Sequence, residues 1–190
     1  MMGKNIVIVG VGGQGALLAS RVLGSLAQLL GLDVKVSEVH GMAQRGGSVI
    51  THVRMGEHVF APLVTEGEAD IMLAFEPLEA LRALPFLKEG GGRVIVNTRA
   101  LPPMSVLTGV AKYPQDIIPT LKARIDTLAI DASSIAESHG APRAVNIALL
   151  GAMAAGEQID MDIWKEAIRR SVPPATLDVN LRVFEGGYYG

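Results

Sequence analysis

Polar residues with chemically useful side chains are concentrated between Glu38 and Arg54, in the stretch EVHGMAQRGGSVITHVR. Arg45 carries a planar guanidinium, which can bind a carboxylate or a phosphate through two parallel hydrogen bonds. The histidines at 40 and 52 titrate near neutral pH and could transfer protons, although we favour roles in which each bridges local backbone. Gly46 and Gly47 allow the backbone of the turn to adopt angles that other residues disfavour. The stretch therefore predicts an anion-binding or partner-binding loop.

A second motif, GVGGQG, occupies positions 10–15 and matches the pattern G-x-G-x-x-G through Gly10, Gly12 and Gly15. It follows a predicted strand and opens a predicted helix, so its backbone N–H groups can be directed at an anion. Gln14 adds a donor for an anion or for a partner's backbone. Glu38 ends the second predicted strand, near the position of the acid that binds a ribose hydroxyl in dinucleotide folds. The motif permits a nicotinamide or flavin site, or a structural turn alone.

Several chemistries are disfavoured by what the sequence lacks. It has no cysteine, so neither a thiolate-held iron–sulfur cluster nor a cysteine nucleophile can form in this chain. Its four histidines show no zinc-binding pattern. Ser48 does not lie in a G-x-S-x-G elbow, and no phosphate-binding loop of the G-x-x-x-x-G-K-[ST] type occurs. We therefore assign no catalytic residue and no metal ligand.

The composition narrows the classes of partner. The formal net charge of −2 makes a broad nucleic-acid surface improbable. No apolar run approaches the ~20 residues that span a membrane, and the N-terminus enters a strand pattern directly, so we expect a cytoplasmic protein. Apolar residues make up 49% of the chain and charged residues 19%. A covered parallel sheet or an apolar surface completed by a partner would each explain this balance.

Apolar runs that read as strands alternate with helical patterns along the chain. This alternation predicts an α/β fold: one Rossmann-like, doubly wound, mostly parallel sheet spanning residues 1–190, with a helical C-terminal part from about 142 to 190. SVITHVRM reads as the third strand, with Gly56 turning it towards a short HVF hairpin arm. RAVNIALLGAMAAG is apolar all round and should be buried. Leu177, Leu181 and Phe184 should lie on one helix face, against the core or in an interface.

Together the two glycine motifs resemble the gamma-type domain of the 2-oxoacid:ferredoxin oxidoreductases. The HGMAQRGG form is similar to the small subunits of indolepyruvate-specific members rather than those for pyruvate or ketoisovalerate. NIALLGAM, beginning at Asn146, and the closing FEGGY match further landmarks, so the resemblance covers essentially the whole chain.

The resemblance implies an enzyme that oxidatively decarboxylates arylpyruvates. The family uses thiamine diphosphate with magnesium, passes electrons through iron–sulfur clusters to ferredoxin, and transfers the acyl group to coenzyme A. A large partner subunit is expected to hold these cofactors, because this chain has neither cysteines nor a G-D-G segment. The chain would be an accessory subunit, inactive alone, and the alternative is a stand-alone NAD(P)- or FAD-binding Rossmann oxidoreductase. The candidate anion or partner contacts are Gly10, Gly12, Gly13, Gln14, Gly15, Glu38, His40, Arg45, Gly46 and Gly47.

Overall fold

A six-stranded mixed sheet forms the centre of the protein. The computed structural model describes residues 3–40 and 46–190, with His40 described by its backbone alone. The sheet has the order β2-β3-β1-β4-β5-β6. The strands are β1 Lys4–Val11, β2 Asp33–His40, β3 Ser48–Gly56, β4 Ile71–Ala74, β5 Arg93–Asn97 and β6 Asp126–Ile130.

Four of the strands are parallel, and β3 runs against both of its neighbours. Strands β1, β4, β5 and β6 pair in parallel, whereas β3 pairs antiparallel with β1 and with β2. The predicted α/β, mostly parallel sheet is therefore confirmed. The strand order differs from that of a dinucleotide-binding fold, in which β2 lies beside β1. Here β3 lies beside β1, and β2 is an edge strand of the sheet.

Helices cover both faces of the sheet. They are α1 Ala16–Leu29, α2 Pro77–Arg82, α3 Met104–Leu107, α4 Ile117–Arg124, α5 Ala132–Ser138, α6 Val145–Ala154, α7 Met161–Ser171 and α8 Leu177–Tyr189. Side chains alternate across a strand, so Ile6 and Ile8 enter the core beneath α1 and the C-terminal helices. Val7 and Val9 enter the second core, beneath α2 and α4. This double burial explains the continuous apolar run KNIVIVG.

The C-terminal helices form a packed layer on one face. Every residue of α6 from Asn146 to Ala154 is buried, as its uniformly apolar sequence predicts. Trp164 of α7 is fully buried, with its ring centroid 6.0 Å from that of Phe184 in α8. Leu177 and Leu181 are partly buried against the same core. The core-facing interpretation of the α8 stripe is therefore confirmed.

The predicted HVF hairpin arm is wrong, since residues 58–60 belong to no strand. Three side chains hold the segment after β3 as a loop. The Val59 N–H donates to the Asp33 carboxylate (3.0 Å), and the Arg54 guanidinium donates to the Leu63 carbonyl (3.1 Å). The Val64 N–H donates to Nδ1 of His52 (3.3 Å). His52 thus bridges local backbone, as we favoured.

His52 should make stability depend on pH, because its burial lowers the pKa of the imidazole below the usual value. The unfolded chain binds the proton more readily, since a free histidine titrates near ~6.5. The contribution is therefore complete above about pH 6.5 and is lost as the pH falls below it. We expect urea unfolding to show a lower free energy of unfolding at pH 5 than at pH 7. His52→Gln should remove this part of the dependence of the free energy of unfolding on pH. His58→Gln, at an exposed site, is the control and should retain it. An equal dependence on pH in the two variants would contradict the assignment.

Within residues 3–40 and 46–190, no helix combines the length and the apolar character needed to cross a membrane.

Candidate functional site

The glycine turn joins β1 to α1 at the carboxyl edge of the parallel strands, where open α/β sheets carry their sites. Gly13 and Gly15 have φ angles of 102° and 91°, a region that favours glycine. A Cβ at Gly10 would lie 3.0 Å from the Phe75 Cβ and 2.8 Å from Gln14 Oε1. Two of the motif's glycines are therefore needed for their backbone angle, and Gly10 is needed for close packing.

Gln14 fastens the turn to the sheet. Its Oε1 accepts the Val11 N–H (2.7 Å), and its Nε2 donates to the Phe75 carbonyl just beyond β4 (3.3 Å). These hydrogen bonds lie within the chain and hold the turn in place. The predicted contact of Gln14 with an external anion or partner stays a prediction.

The two residues before β3, Gly46 and Gly47, form a short segment that we call the limb. The limb lies directly beside the glycine turn. The Gly12 N–H donates to the Gly47 carbonyl (2.8 Å), and the Gly46 N–H donates to the Gly12 carbonyl (3.4 Å). Arg45 lies outside the described residues, as does the side chain of His40, whose backbone ends β2. The two motifs that the sequence predicts as one contact face are thus adjacent through Gly12, Gly46 and Gly47.

A cavity of about 410 Å³ opens on the β2 side of the glycine turn. Its wall combines the turn with Glu38, Val49 and Phe75. Glu38 is exposed, and its carboxylate accepts a hydrogen bond from the Thr51 hydroxyl (3.3 Å). Because β3 separates β2 from β1, Glu38 lies one strand further from the turn than the ribose-binding acid of a dinucleotide fold. This displacement weakens the nicotinamide and flavin interpretation.

A second cavity, of about 490 Å³, opens on the opposite side of the turn. Arg99 and Arg143 line it together with Asn97 and Asn146, and the N-termini of α1 and α6 border it. Arg99 also forms an ion pair with Glu137 (2.5 Å). The sequence analysis missed both arginines because neither belongs to a motif. Their positions in the sequence could have indicated the site, because Arg99 comes just after β5 and Arg143 just before α6.

Asn146, at the start of α6, is hydrogen-bonded to the glycine turn. Its Nδ2 donates to the Gly15 carbonyl (3.0 Å), and its Oδ1 accepts the Ile147 N–H (2.9 Å). A Cβ at Gly15 would lie 2.7 Å from that Nδ2. The asparagine therefore joins the beginnings of α1 and α6, two helices that are 131 residues apart in sequence at this contact.

The described site is equipped for binding. It offers backbone N–H groups, two arginines and two cavities, which suit anionic groups. In the described part of the chain, no group of three histidine or acidic side chains could hold a metal ion.

Comparison with known proteins identifies the family. The pyruvate ferredoxin/flavodoxin oxidoreductase family matches residues 5–189. The chain is 46% identical to the indolepyruvate oxidoreductase subunit IorB of Thermococcus kodakarensis, over 96% of this chain and 93% of that protein. It is 31% identical to the 2-oxoglutarate synthase subunit KorC of Methanothermobacter thermautotrophicus, over 97% and 93%. A keto/oxoacid ferredoxin oxidoreductase gamma subunit from Geobacter sulfurreducens shares the fold, with a TM-score of 0.72, 23% identity and coverage of 98% and 96%. The chain therefore belongs to the pyruvate ferredoxin/flavodoxin oxidoreductase family.

Proposed function

We propose that this chain is the small, accessory subunit of an indolepyruvate:ferredoxin oxidoreductase. The observation that carries the proposal is its 46% identity, over nearly the whole of both chains, with a subunit named for indolepyruvate. Identity with the 2-oxoglutarate relative is only 31% over a similar length. The complex would convert arylpyruvates and coenzyme A to aryl-acetyl-CoA and reduce ferredoxin.

The redox cofactors would be held by a large partner subunit. Iron–sulfur clusters are bound chiefly by cysteine thiolates, and this chain has no cysteine. The sequence also lacks the G-D-G segment expected for the magnesium ion and the diphosphate of thiamine. The residues of this chain therefore do not fit these groups, and we derive no redox step within it.

The contribution of this chain would be a contact face that shapes the entrance for substrate or coenzyme A. The face would consist of the glycine turn, with Glu38 and His40 at the end of β2 and the residues from Arg45 to Gly47. Support comes from the two hydrogen bonds that join Gly12 to Gly46 and Gly47. The cavity between the turn and Glu38 gives the face a concave surface.

Reconstitution tests the function. The chain, the large subunit and their mixture are each assayed for indolepyruvate-dependent reduction of ferredoxin in the presence of coenzyme A. We expect activity only in the mixture. Turnover by the isolated chain, or full turnover by the large subunit alone, would contradict the proposal.

The alternative function is that of a stand-alone NAD(P)- or FAD-binding enzyme. The G-x-G-x-x-G pattern favours it, but the position of Glu38 beyond β3 does not. Titration of the isolated chain with NADH, NADPH and FAD distinguishes the two functions. Tight binding in a 1:1 ratio would support the alternative.

Arg45 is the residue that we propose meets an anion, either a carboxylate of the partner or a phosphate of coenzyme A. Arg45→Ala should therefore raise the KM for coenzyme A or the Kd for the large subunit by about 10- to 100-fold, because a charge-assisted hydrogen bond contributes roughly 1.5–3 kcal/mol. Steady-state kinetics and subunit titration measure the two constants. Arg169→Ala, at an exposed ion pair on α7, is the matched control and should change neither. Unchanged assembly and kinetics in Arg45→Ala would remove Arg45 from the site.

A further inference from the structure

Two carboxylates are buried where α2 begins, beside the glycine turn. Glu76 is 1% exposed and Glu79 is 4% exposed. A buried carboxylate is costly unless several hydrogen bonds compensate for the lost water. The residues that supply those hydrogen bonds indicate what the two carboxylates hold in place.

Glu76 caps α2 and also reaches a distant segment. Its Oε2 accepts the Glu79 N–H (2.9 Å), which is an ordinary helix cap. Its Oε1 accepts the Tyr113 hydroxyl (2.5 Å) and the Leu101 N–H (3.2 Å). Burial and the nearby Glu76 raise the pKa of Tyr113, so its hydroxyl remains a donor. Glu76 thus holds the connection between β5 and α4.

Glu79 reaches in the other direction, to Ser48, the first residue of β3. Its Oε2 accepts the Ser48 hydroxyl (2.5 Å), and its Oε1 forms an ion pair with Arg82 (2.6 Å). Ser48 directly follows Gly46 and Gly47, the residues hydrogen-bonded to Gly12. The limb is therefore held from two sides, by the glycine turn and by a carboxylate in α2.

The hydrogen bond from Ser48 helps to compensate the buried Glu79 carboxylate, and it also ties the residue after Gly47 to α2. The cap of α2 is already supplied by Glu76, and β3 is already paired on both edges. Ser48 is exposed, so its hydroxyl could have been hydrated by water instead. An exposed glycine-rich limb would lose conformational freedom on binding a partner, and a limb already fixed avoids that loss.

We propose that Glu79 is a positioning residue that acts through Ser48 to hold the Gly46–Gly47 limb in the conformation that the large subunit binds. The inference rests on the proposed function for the identity of the partner. Glu79 is itself buried, so any effect on assembly would pass through the groups that it holds, which are Ser48 beside the limb and Arg82 in α2.

The test compares equivalent losses at the two carboxylates. Ser48→Ala removes the hydroxyl donor to Glu79, and Tyr113→Phe removes the hydroxyl donor to Glu76. Glu79→Met removes both acceptor oxygens at similar volume, and we expect Ser48→Ala and Glu79→Met each to raise the Kd for the large subunit about tenfold. The double variant should be no weaker than either single variant. Ser48→Thr retains the hydroxyl and should restore binding, and Tyr113→Phe should leave the Kd unchanged.

Two binding results would overturn the proposal. If Ser48→Ala weakens binding and Glu79→Met does not, Ser48 meets the partner directly and Glu79 positions nothing. If Tyr113→Phe weakens binding as much as Ser48→Ala, the losses reflect general destabilisation of the chain. Unchanged binding in both Ser48→Ala and Glu79→Met would overturn it as well.

Amide hydrogen exchange of the isolated chain supplies a readout that does not depend on the partner. Ser48→Ala and Glu79→Met should accelerate exchange at the Gly12 and Gly46 amides, whereas Tyr113→Phe should not. Unchanged exchange at these amides would refute the positioning role even if reconstitution succeeds. Accelerated exchange combined with failed reconstitution would instead count against the proposed function alone.

Discussion

Replacing Gly151 with alanine is expected to lower the free energy of unfolding by about 3 kcal/mol or more, among the largest effects of any single methyl group in this chain. A Cβ at Gly151, within α6, would lie 2.1 Å from the Phe184 carbonyl oxygen and 2.8 Å from the Tyr188 nitrogen, both in α8. Both contacts are backbone atoms, which cannot rotate away as a side chain can. The two helices would have to separate, and the layer that covers the sheet would loosen.

Chemical denaturation of the isolated chain measures this effect, with Gly24→Ala as the matched control. Gly24 lies in the middle of α1, and a Cβ there would meet no atom within 4 Å. Alanine at that position should stabilise the helix by about 0.5–1 kcal/mol, because glycine disfavours helix interiors. If Gly151→Ala is as stable as the unaltered chain, the close approach of α6 and α8 is incorrect.

The second large effect is expected at Gly15, where backbone angle and packing both exclude a side chain. Its φ angle of 91° strains any other residue, and an added Cβ would lie 2.7 Å from Nδ2 of Asn146. Gly15→Ala should therefore cost about 3 kcal/mol, of which about 1–2 kcal/mol is backbone strain. The packing part would loosen the junction between α1 and α6.

Gly13→Ala separates the two contributions, because Gly13 also has a positive φ angle but has open space around its Cβ position. That variant should show the backbone cost alone. Denaturation of the double variant Gly15→Ala/Asn146→Ala should recover part of the difference, since the clashing amide is then absent. Equal losses for Gly13→Ala and Gly15→Ala would show that the Asn146 contact carries no energetic weight.

Much of the fold can be predicted from local patterns. KNIVIVG is apolar throughout because its alternate side chains enter two different cores, and the glycines after it mark the turn into α1. The uniformly apolar α6 is buried, as its sequence indicates. In β1 and α6, each residue's apolar character reflects its own burial, so a short stretch of sequence is enough to predict the element.

The strand order could not be predicted, because it depends on pairing between distant segments. The sequence SVITHVRM does not indicate that β3 lies between β1 and β2, because an apolar strand could occupy any central position in the sheet. The interior does hold two polar residues of β3, Thr51 and His52, each satisfied by a partner outside the strand. The HVF arm failed for a similar reason, because Asp33 binds the Val59 N–H that a hairpin would use.

The candidate site was only partly predictable. The glycine turn and the limb at Gly46 and Gly47 follow from their motifs. Glu79 and Ser48 carry no recognisable pattern and meet only because β3 begins beside α2. Arg99 and Arg143 likewise meet at one cavity only after the chain has folded.

The position of β2 at the edge of the sheet affects how easily the chain can associate with itself. A marginal strand offers unpaired backbone groups to which another copy could add, and Val36 and Val39 on β2 are 43% and 52% exposed. Asp33, Lys35 and Glu38 interrupt those valines with charge, which opposes edge-to-edge stacking into aggregates. Charge on this edge should therefore disfavour the addition of a second copy of the chain along β2.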